Sequence, residues 1–246
     1  MEIHAHTHTA RKKWTHYFWE FLMLFLAVFC GSLAENFREH QVEHKREKQY
    51  MASLVEDLNT DISRISEYIR YREAKIKNAD SLIHLLISGE YVHAGGETYF
   101  LFIQSMRGWV FIPANGTMQQ LKNSGGLRLI RKQNVVDSII AYDGLISGQQ
   151  FQDGVEQGFL NKLRDLTGDV FDAGVFLETY NTATNQAVRP AGNPKLISNN
   201  PGVINKLATQ VIYVRGSTKF SLMDAERLKK SAARLIKYLT KEYHLK

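Results

Sequence analysis

The chain of 246 residues has almost no cysteine, Cys30 being the only one. An intrachain disulfide and a cysteine-built zinc site are thereby excluded. Proline is nearly as scarce, with four in all and none before Pro113. Residues 32–88 hold neither proline nor glycine, so nothing there obliges a helix to stop. A block of clustered arginine and lysine with interleaved aromatics is also missing. The net charge of +6 is spread along the chain, with modest excess at Arg11, Lys12 and Lys13 and near the C-terminus, so the composition predicts no nucleic-acid partner. The Gly-Gly pair before "LRLIRK" lacks the spacing and the Lys-Ser/Thr ending of a phosphate loop.

What is present begins with "WTHYFWEFLMLFLAVFCGSLAENF", residues 14–37. A hydrocarbon core about 30 Å thick needs about 20 helical residues. Residues 21–34 supply only 14 without a charge, so a span must take in Trp14 to Trp19 and carry Glu20 with them. A carboxylate so near the interface can reach headgroups or share a proton. Trp14, Tyr17 and Trp19 suit an aromatic belt, and the basic residues before them suit a cytoplasmic N-terminus. Arg38, Lys45, Arg46 and Lys48 after the span weaken that orientation. A signal peptide cleaved after "SLA" competes with a retained span, and the bulky, charged Trp19-Glu20 pair within the apolar run speaks against cleavage. Phe29 before Cys30 disfavours lipoprotein processing.

On a helix, His16, Glu20, Ala27, Gly31 and Ala34 form one stripe, with Ala27 and Gly31 a small-xxx-small pair. The functional reading is a homo-oligomer face with a titratable carboxylate at its entrance. The plain reading is an interfacial Glu that snorkels. Residues 38–50 are polar all round apart from Val42, as in a solvated stalk. A seam then begins: Val55, Leu58, Ile62, Ile65, Ile69, Arg72, Ile76, Ala79, Ile83 and Leu86. Steps of three and four over several heptads predict a helix packed along its length, with Arg72 snorkelling or paired. Glu20 and Val55 share a heptad phase, but Gln41, His44 and Lys48 fall on it between them, so the stripe and the seam are not continuous.

Two motifs invite metal chemistry. "HQVEH" places His40, Glu43 and His44 in the pattern of inverted zinc peptidases. Its setting in a charge-rich stalk argues for a solvated face, so no metal or other cofactor is expected. "HAHTHT" offers His4, His6 and His8 as a chelating tract on composition alone.

After Gly89, the spacing of Tyr99, Phe102, Ile103 and Met106 predicts a short core helix ending at Gly108, with Pro113 cutting short any strand over 109–112. "TMQQLKNSGG" predicts a helix capped by Thr117 with Gln120 closing a capping box. Two further helices are expected over 134–147 and 151–166. The continuation "ENFREHQVEHKREKQYMASLVEDLNTDI" and the block "TMQQLKNSGGLRLIRKQNVVDSIIAYDG", behind a basic-aromatic lead and a span with an early Glu, resemble an uncharacterised family of single-span helical membrane proteins from Bacteroidota. Thr117, Leu121, Lys122, Ser124 and Gly125 match its T-Y-E-E-L-K-S-S-G-like block, while Met118, Gln119 and Gln120 depart from it. The likeness covers roughly the first 150 residues. It implies a bacterial membrane anchor and an all-helical build, and it transfers no catalytic residue.

Residues 180–202 read as a loop rich in Asn, Thr, Pro and Gly. Beyond it Ile204, Leu207, Val211 and Val214, then Ala225, Leu228, Ala232, Leu235 and Leu239, form a second seam, expected to break near Gly216 with Ser221 capping its second half. The outer face of the last helix, with Arg227, Lys230, Arg234, Lys237 and Lys241, is basic; a solvated face is the plain reading and contact with an anionic membrane the alternative.

The expected architecture is all-α, with a transmembrane helix over 14–37, a stalk over 38–50 and an antiparallel helical bundle over 51–246. The expected role is a non-enzymatic scaffold or sensor in a bacterial inner membrane, N-terminus cytoplasmic and bundle periplasmic. Its expected partners are the lipid bilayer and another protein. The competing roles are the zinc peptidase and an ion-coupled accessory subunit in which Glu20 titrates.

Overall fold

The computed structural model describes residues 14–184 and 186–245. His4, His6, His8 and the basic residues Arg11, Lys12 and Lys13 lie outside them. The protein is all-α apart from a minute hairpin. In order come α1 (Trp14–Ser88), α2 (Gly95–Met106), α3 (Gly116–Asn123), α4 (Gln133–Asp165), α5 (Thr167–Val170), α6 (Ala173–Glu178), β1 (Tyr180–Asn181), β2 (Gln186–Ala187) and α7 (Pro201–Tyr243). Two compact units are present, Met1–Tyr50 and Met51–Lys246, and α1 contributes to both.

In the first unit, α1 is long and apolar enough to cross a membrane, and none of its apolar window is buried among the described residues. Trp14, Phe18, Trp19, Phe21, Phe25, Phe29 and Phe37 are all exposed. Phe21, Phe25 and Phe29 stack in series, with ring centroids 6.2 and 5.8 Å apart.

The second unit is a bundle of three long helices. Its part of α1 buries Met51, Leu54, Leu58, Asp61, Ile65, Tyr68, Arg72, Lys75, Ala79, Leu82 and Leu86. These alternate steps of three and four without a break, the spacing that keeps one stripe facing its neighbours. Helix α4 buries Val135, Ile139, Tyr142, Ile146, Gln149, Asp153, Glu156, Leu160 and Leu163 in the same rhythm. Helix α7 does likewise from Ile204 to Leu239. Cross-helix bonds fix the directions. Asp61 meets Tyr142, and Arg72 meets Glu156, so α4 runs parallel to α1. Tyr68 meets Ser221, and Asp80 meets Arg215, so α7 runs antiparallel to α1.

Because α1 and α4 are parallel, the chain must travel back along the bundle between them. Gly89, at φ 80°, ends α1 with a reversal that favours glycine. Helix α2 then packs Tyr99, Phe102, Ile103 and Met106 into the core, and the return continues as extended chain to α3. No strand forms over 109–112, which has no pairing partner. Thr117 does not cap α3. It lies inside the helix, whose N-cap is Asn115, and its N–H donates to Asp57 at 2.9 Å.

Two expected breaks are absent. Helix α4 runs through Gly144, Gly148, Gly154 and Gly158, each facing open space, so residues 134–147 and 151–166 belong to one helix. Glycine only weakens a helix by about 1 kcal/mol, less than the buried stripe returns. Helix α7 likewise passes Gly216, and Ser221 is buried in its middle instead of capping a second segment. The described residues of the 180–202 segment form a mostly exposed loop strapped to the bundle at a few points, with Pro190 and Leu196 buried. It starts as the β1–β2 hairpin, and Asn193 accepts from the Gly95 N–H at 2.5 Å. A Cβ on Gly95 would lie 1.8 Å from the Pro194 carbonyl oxygen, so only glycine fits this close approach. Asn200 then caps α7, with Pro201 in its first turn.

Candidate functional site

The middle of the bundle holds charge instead of oil. Tyr68, Arg72 and Lys75 occupy successive stripe positions of α1; Gln149, Asp153 and Glu156 face them from α4, and Thr218 and Ser221 from α7. All eight are buried. Arg72 Nη1 donates to Glu156 Oε2, and Arg72 Nη2 to Asp153 Oδ1 at 3.0 Å. Lys75 Nζ donates to Glu156 Oε1 at 2.6 Å, and Thr218 Oγ1 donates to the same oxygen at 3.1 Å. The Tyr68 hydroxyl donates to Asp153 and lies 2.6 Å from Ser221 Oγ; Gln149 Nε2 donates to that hydroxyl at 3.0 Å. Two cations thus meet two carboxylates, and the layer is neutral. Arg72 Nε and Gln149 Oε1 are buried with no partner among the described residues.

The same side chains grip the returning backbone. Arg72 Nη2 donates to the Trp109 carbonyl at 2.7 Å, and Lys75 Nζ to the Arg107 carbonyl at 2.6 Å. The Tyr71 hydroxyl also donates to Arg107 O, at 2.8 Å, and Asp153 accepts from the Phe111 N–H at 2.9 Å. Further along, Arg64 donates to Ile112 O at 3.1 Å, and Asp61 accepts from Ala114 N–H at 2.6 Å and from the Tyr142 hydroxyl at 2.7 Å. An extended segment with no neighbouring strand must satisfy its backbone elsewhere, and here side chains of α1 and α4 do so. An open groove beside it, of about 290 Å³, is lined by Arg64, Glu67, Tyr68 and residues 109–112.

Burial governs the protonation of this layer. It pulls the Lys75 ammonium down to about 8, Glu156 offsetting only part of the cost. Burial also opposes the charge of Arg72, but Glu156, Tyr68 and Asp153 around it outweigh that and hold its affinity for the proton above the ordinary value. It raises the Asp61 carboxyl, and pushes up the Tyr68 and Tyr142 phenols. Tyr68 therefore keeps its proton and gives it to Asp153 as a hydrogen bond. The arrangement locks three helices and the extended return in one register, its hydroxyls and charges spent on one another and on that backbone, Arg72 Nε and Gln149 Oε1 excepted.

The seam residues divide into two rows. Leu58, Ile65 and Leu86 lie on the buried stripe with Arg72 and Ala79, whereas Val55, Ile62, Ile69, Ile76 and Ile83 form a half-buried row beside it. The second buried row is Leu54, Asp61, Tyr68, Lys75 and Leu82. His16, Glu20, Ala27, Gly31 and Ala34 are all exposed on α1, and a Cβ on Gly31 would touch nothing. His40 and His44 each sit beside the glutamate one turn on, Glu43 at 3.6 Å and Glu47 at 3.4 Å. Among the described residues no group of three or more His, Cys, Asp or Glu side chains gathers to hold a metal, so the peptidase pattern of His40, Glu43 and His44 is not assembled into a site.

The chain was compared with protein-family models, curated proteins and solved structures, and nothing matches.

Proposed function

We propose that the protein is a membrane-anchored, non-enzymatic helical module acting through protein contacts, held by residues 14–37 in a bacterial inner membrane. Its N-terminus lies in the cytoplasm and its bundle in the periplasm. The observation that carries this reading is the bareness of the apolar stretch. A core helix of a water-soluble protein is covered by its own chain, whereas here large apolar side chains from Trp14 to Phe37 stand exposed on every face. Lipid on most of that surface, and a second copy along His16, Glu20, Ala27, Gly31 and Ala34, would cover it. The bundle supports a scaffold or sensor role because its charged centre is consumed internally, leaving the exposed faces for partners.

Membrane fractions of cells expressing the full chain test the reading. After an alkaline carbonate wash the protein should remain in the pellet, with residues 14–37 present when its N-terminal peptide is read by mass spectrometry. Release into the wash, or a mature chain starting at Glu35, would overturn it.

A further inference from the structure

We infer that the end of the bundle where α1 joins it is a docking surface for the anionic headgroups of a lipid bilayer. This rests on the membrane anchoring proposed above and adds that the folded unit itself touches lipid. The helix directions decide which residues gather there. Since α7 descends as α1 rises, its C-terminal half lies beside the α1 residues that follow Met51. An ion pair between Lys132 and Glu242 brings the start of α4 to the same end.

Along α7, Arg227, Lys230, Arg234, Lys237 and Lys241 recur at steps of three and four, all exposed, and so make one row. The turn before α4 adds exposed Arg128 and Arg131. Three nearby acids are engaged, Asp224 with Arg227, Glu242 with Lys132 and Asp143 with Lys122, and Glu226 is the one exposed carboxylate of α7 set among the cations, one turn before Lys230. Among the described residues no carboxylate comes within salt-bridge distance of Lys230, Arg234, Lys237 or Lys241. Like charges one turn apart repel, and an extended anionic surface relieves them together. Beside the row, a shallow groove of about 270 Å³ between α4 and α7 sets Ser138, Ser231 and Tyr238 around Arg234, hydroxyl donors next to a guanidinium that suit a phosphate oxygen.

Two features select a bilayer over nucleic acid. The row itself, from Arg227 to Lys241, contains no aromatic, and Tyr238 beside it is half-buried, so the cations are not interleaved with exposed rings for bases to stack on. Only residues 38–50 separate the apolar stretch from Met51 in the sequence, so with the anchoring proposed above a bilayer is the polyanion already attached to this chain.

The full chain, with Cys30→Ser and a single labelled cysteine at Ala233 between the cations, tests the inference in two vesicle types: phosphatidylcholine alone, and phosphatidylcholine with about one third phosphatidylglycerol. A quencher carried on lipid headgroups should quench this label about threefold more in the anionic vesicles, an effect lost in about 1 M salt, while a label at exposed Thr209 should not discriminate. The quadruple reversal K230E/R234E/K237E/K241E should abolish the difference with its circular dichroism unchanged. Equal quenching in both vesicles, or a reversal variant that behaves like the parent, would overturn the inference while leaving anchoring intact. A short nucleic-acid duplex that shields the label in neutral vesicles would assign the row to a different polyanion. Failure to float with either vesicle type would instead bring down the anchoring itself.

Discussion

One helix carries two opposite solutions to burial. Before Tyr50, α1 holds the most apolar stretch of the chain and buries almost none of it; after Met51 it holds Asp61, Arg72 and Lys75 on its inner face and buries them completely. Hydropathy therefore does not say which side chains a protein covers. What covers them is set by partners, and Arg72 and Lys75 can be interior because Asp153 and Glu156 arrive from α4 with matching geometry. The apolar stretch receives no such visitor among the described residues.

The sharpest way to break this contrast is to unbalance the buried layer. Arg72→Ala leaves Glu156 and Asp153 with one cation between them, and should cost about 3–5 kcal/mol in urea unfolding followed by near-ultraviolet circular dichroism. Replacing all four charges, as R72M/K75M/D153L/E156L, should instead leave stability within about 2 kcal/mol of the parent or raise it. That variant should still lose the grip on the extended return, so trypsin would cut after Arg107 much faster than in the parent. An uncut return would mean that the layer serves packing alone.

The opposite intervention puts a charge where the chain is oily. Leu26→Asp in the middle of the apolar stretch should disfavour insertion by about 2.5–3.5 kcal/mol, read as the fraction resisting an alkaline wash, whereas the same change at exposed Val42 in the stalk should be silent.

A smaller effect sharpens the comparison through pH. Lys75 is held near 8 in the folded protein against 10.5 in an ordinary lysine. Below pH about 8 both folded and unfolded chains keep the proton, and the cost of burying the ammonium is fully present. Between about 8 and 10.5 the unfolded chain binds more protons than the folded one, so the stability contributed by this group rises with pH. Denaturant midpoints measured across that window should climb in the parent relative to Lys75→Met; parallel curves would contradict the assignment.

The smallest test concerns the outer face of α4. Gly144, Gly148, Gly154 and Gly158 are exposed with open space where a Cβ would stand. Each change to alanine should add about 0.5–1 kcal/mol, visible as a rise in Tm.

The helices were legible because their spacing is local, and so was the antiparallel pairing of the first and last. The inner row of α1 was not. A rule that looks for apolar residues selects Ile62, Ile69, Ile76 and Ile83, one position beyond Asp61, Tyr68, Lys75 and Leu82, because three of those four are polar. Their partners lie on α4 and α7, and no single helix displays the match. The signal available was phase: the three-four rhythm passes without slipping through Asp61, Tyr68, Arg72 and Lys75 on α1, through Gln149, Asp153 and Glu156 on α4, and through Thr218 and Ser221 on α7. The continuity of α4 and α7 across glycines was hidden for a related reason, since the tertiary contacts that override a weak helix former are not in its neighbourhood. The loop over 180–202 was read as a loop, but its docking was not legible, because Asn193 and Pro194 meet Gly95, far away in sequence.

The extended return between α2 and α3 is fastened by side chains that reach it from α1 and α4, with no ladder of its own. A segment held in this way has nothing to hold it until both helices have met. Its amide protons should therefore be among the first in the domain to trade with deuterated solvent, reporting a latch that closes after the frame is built and springs before the frame gives way.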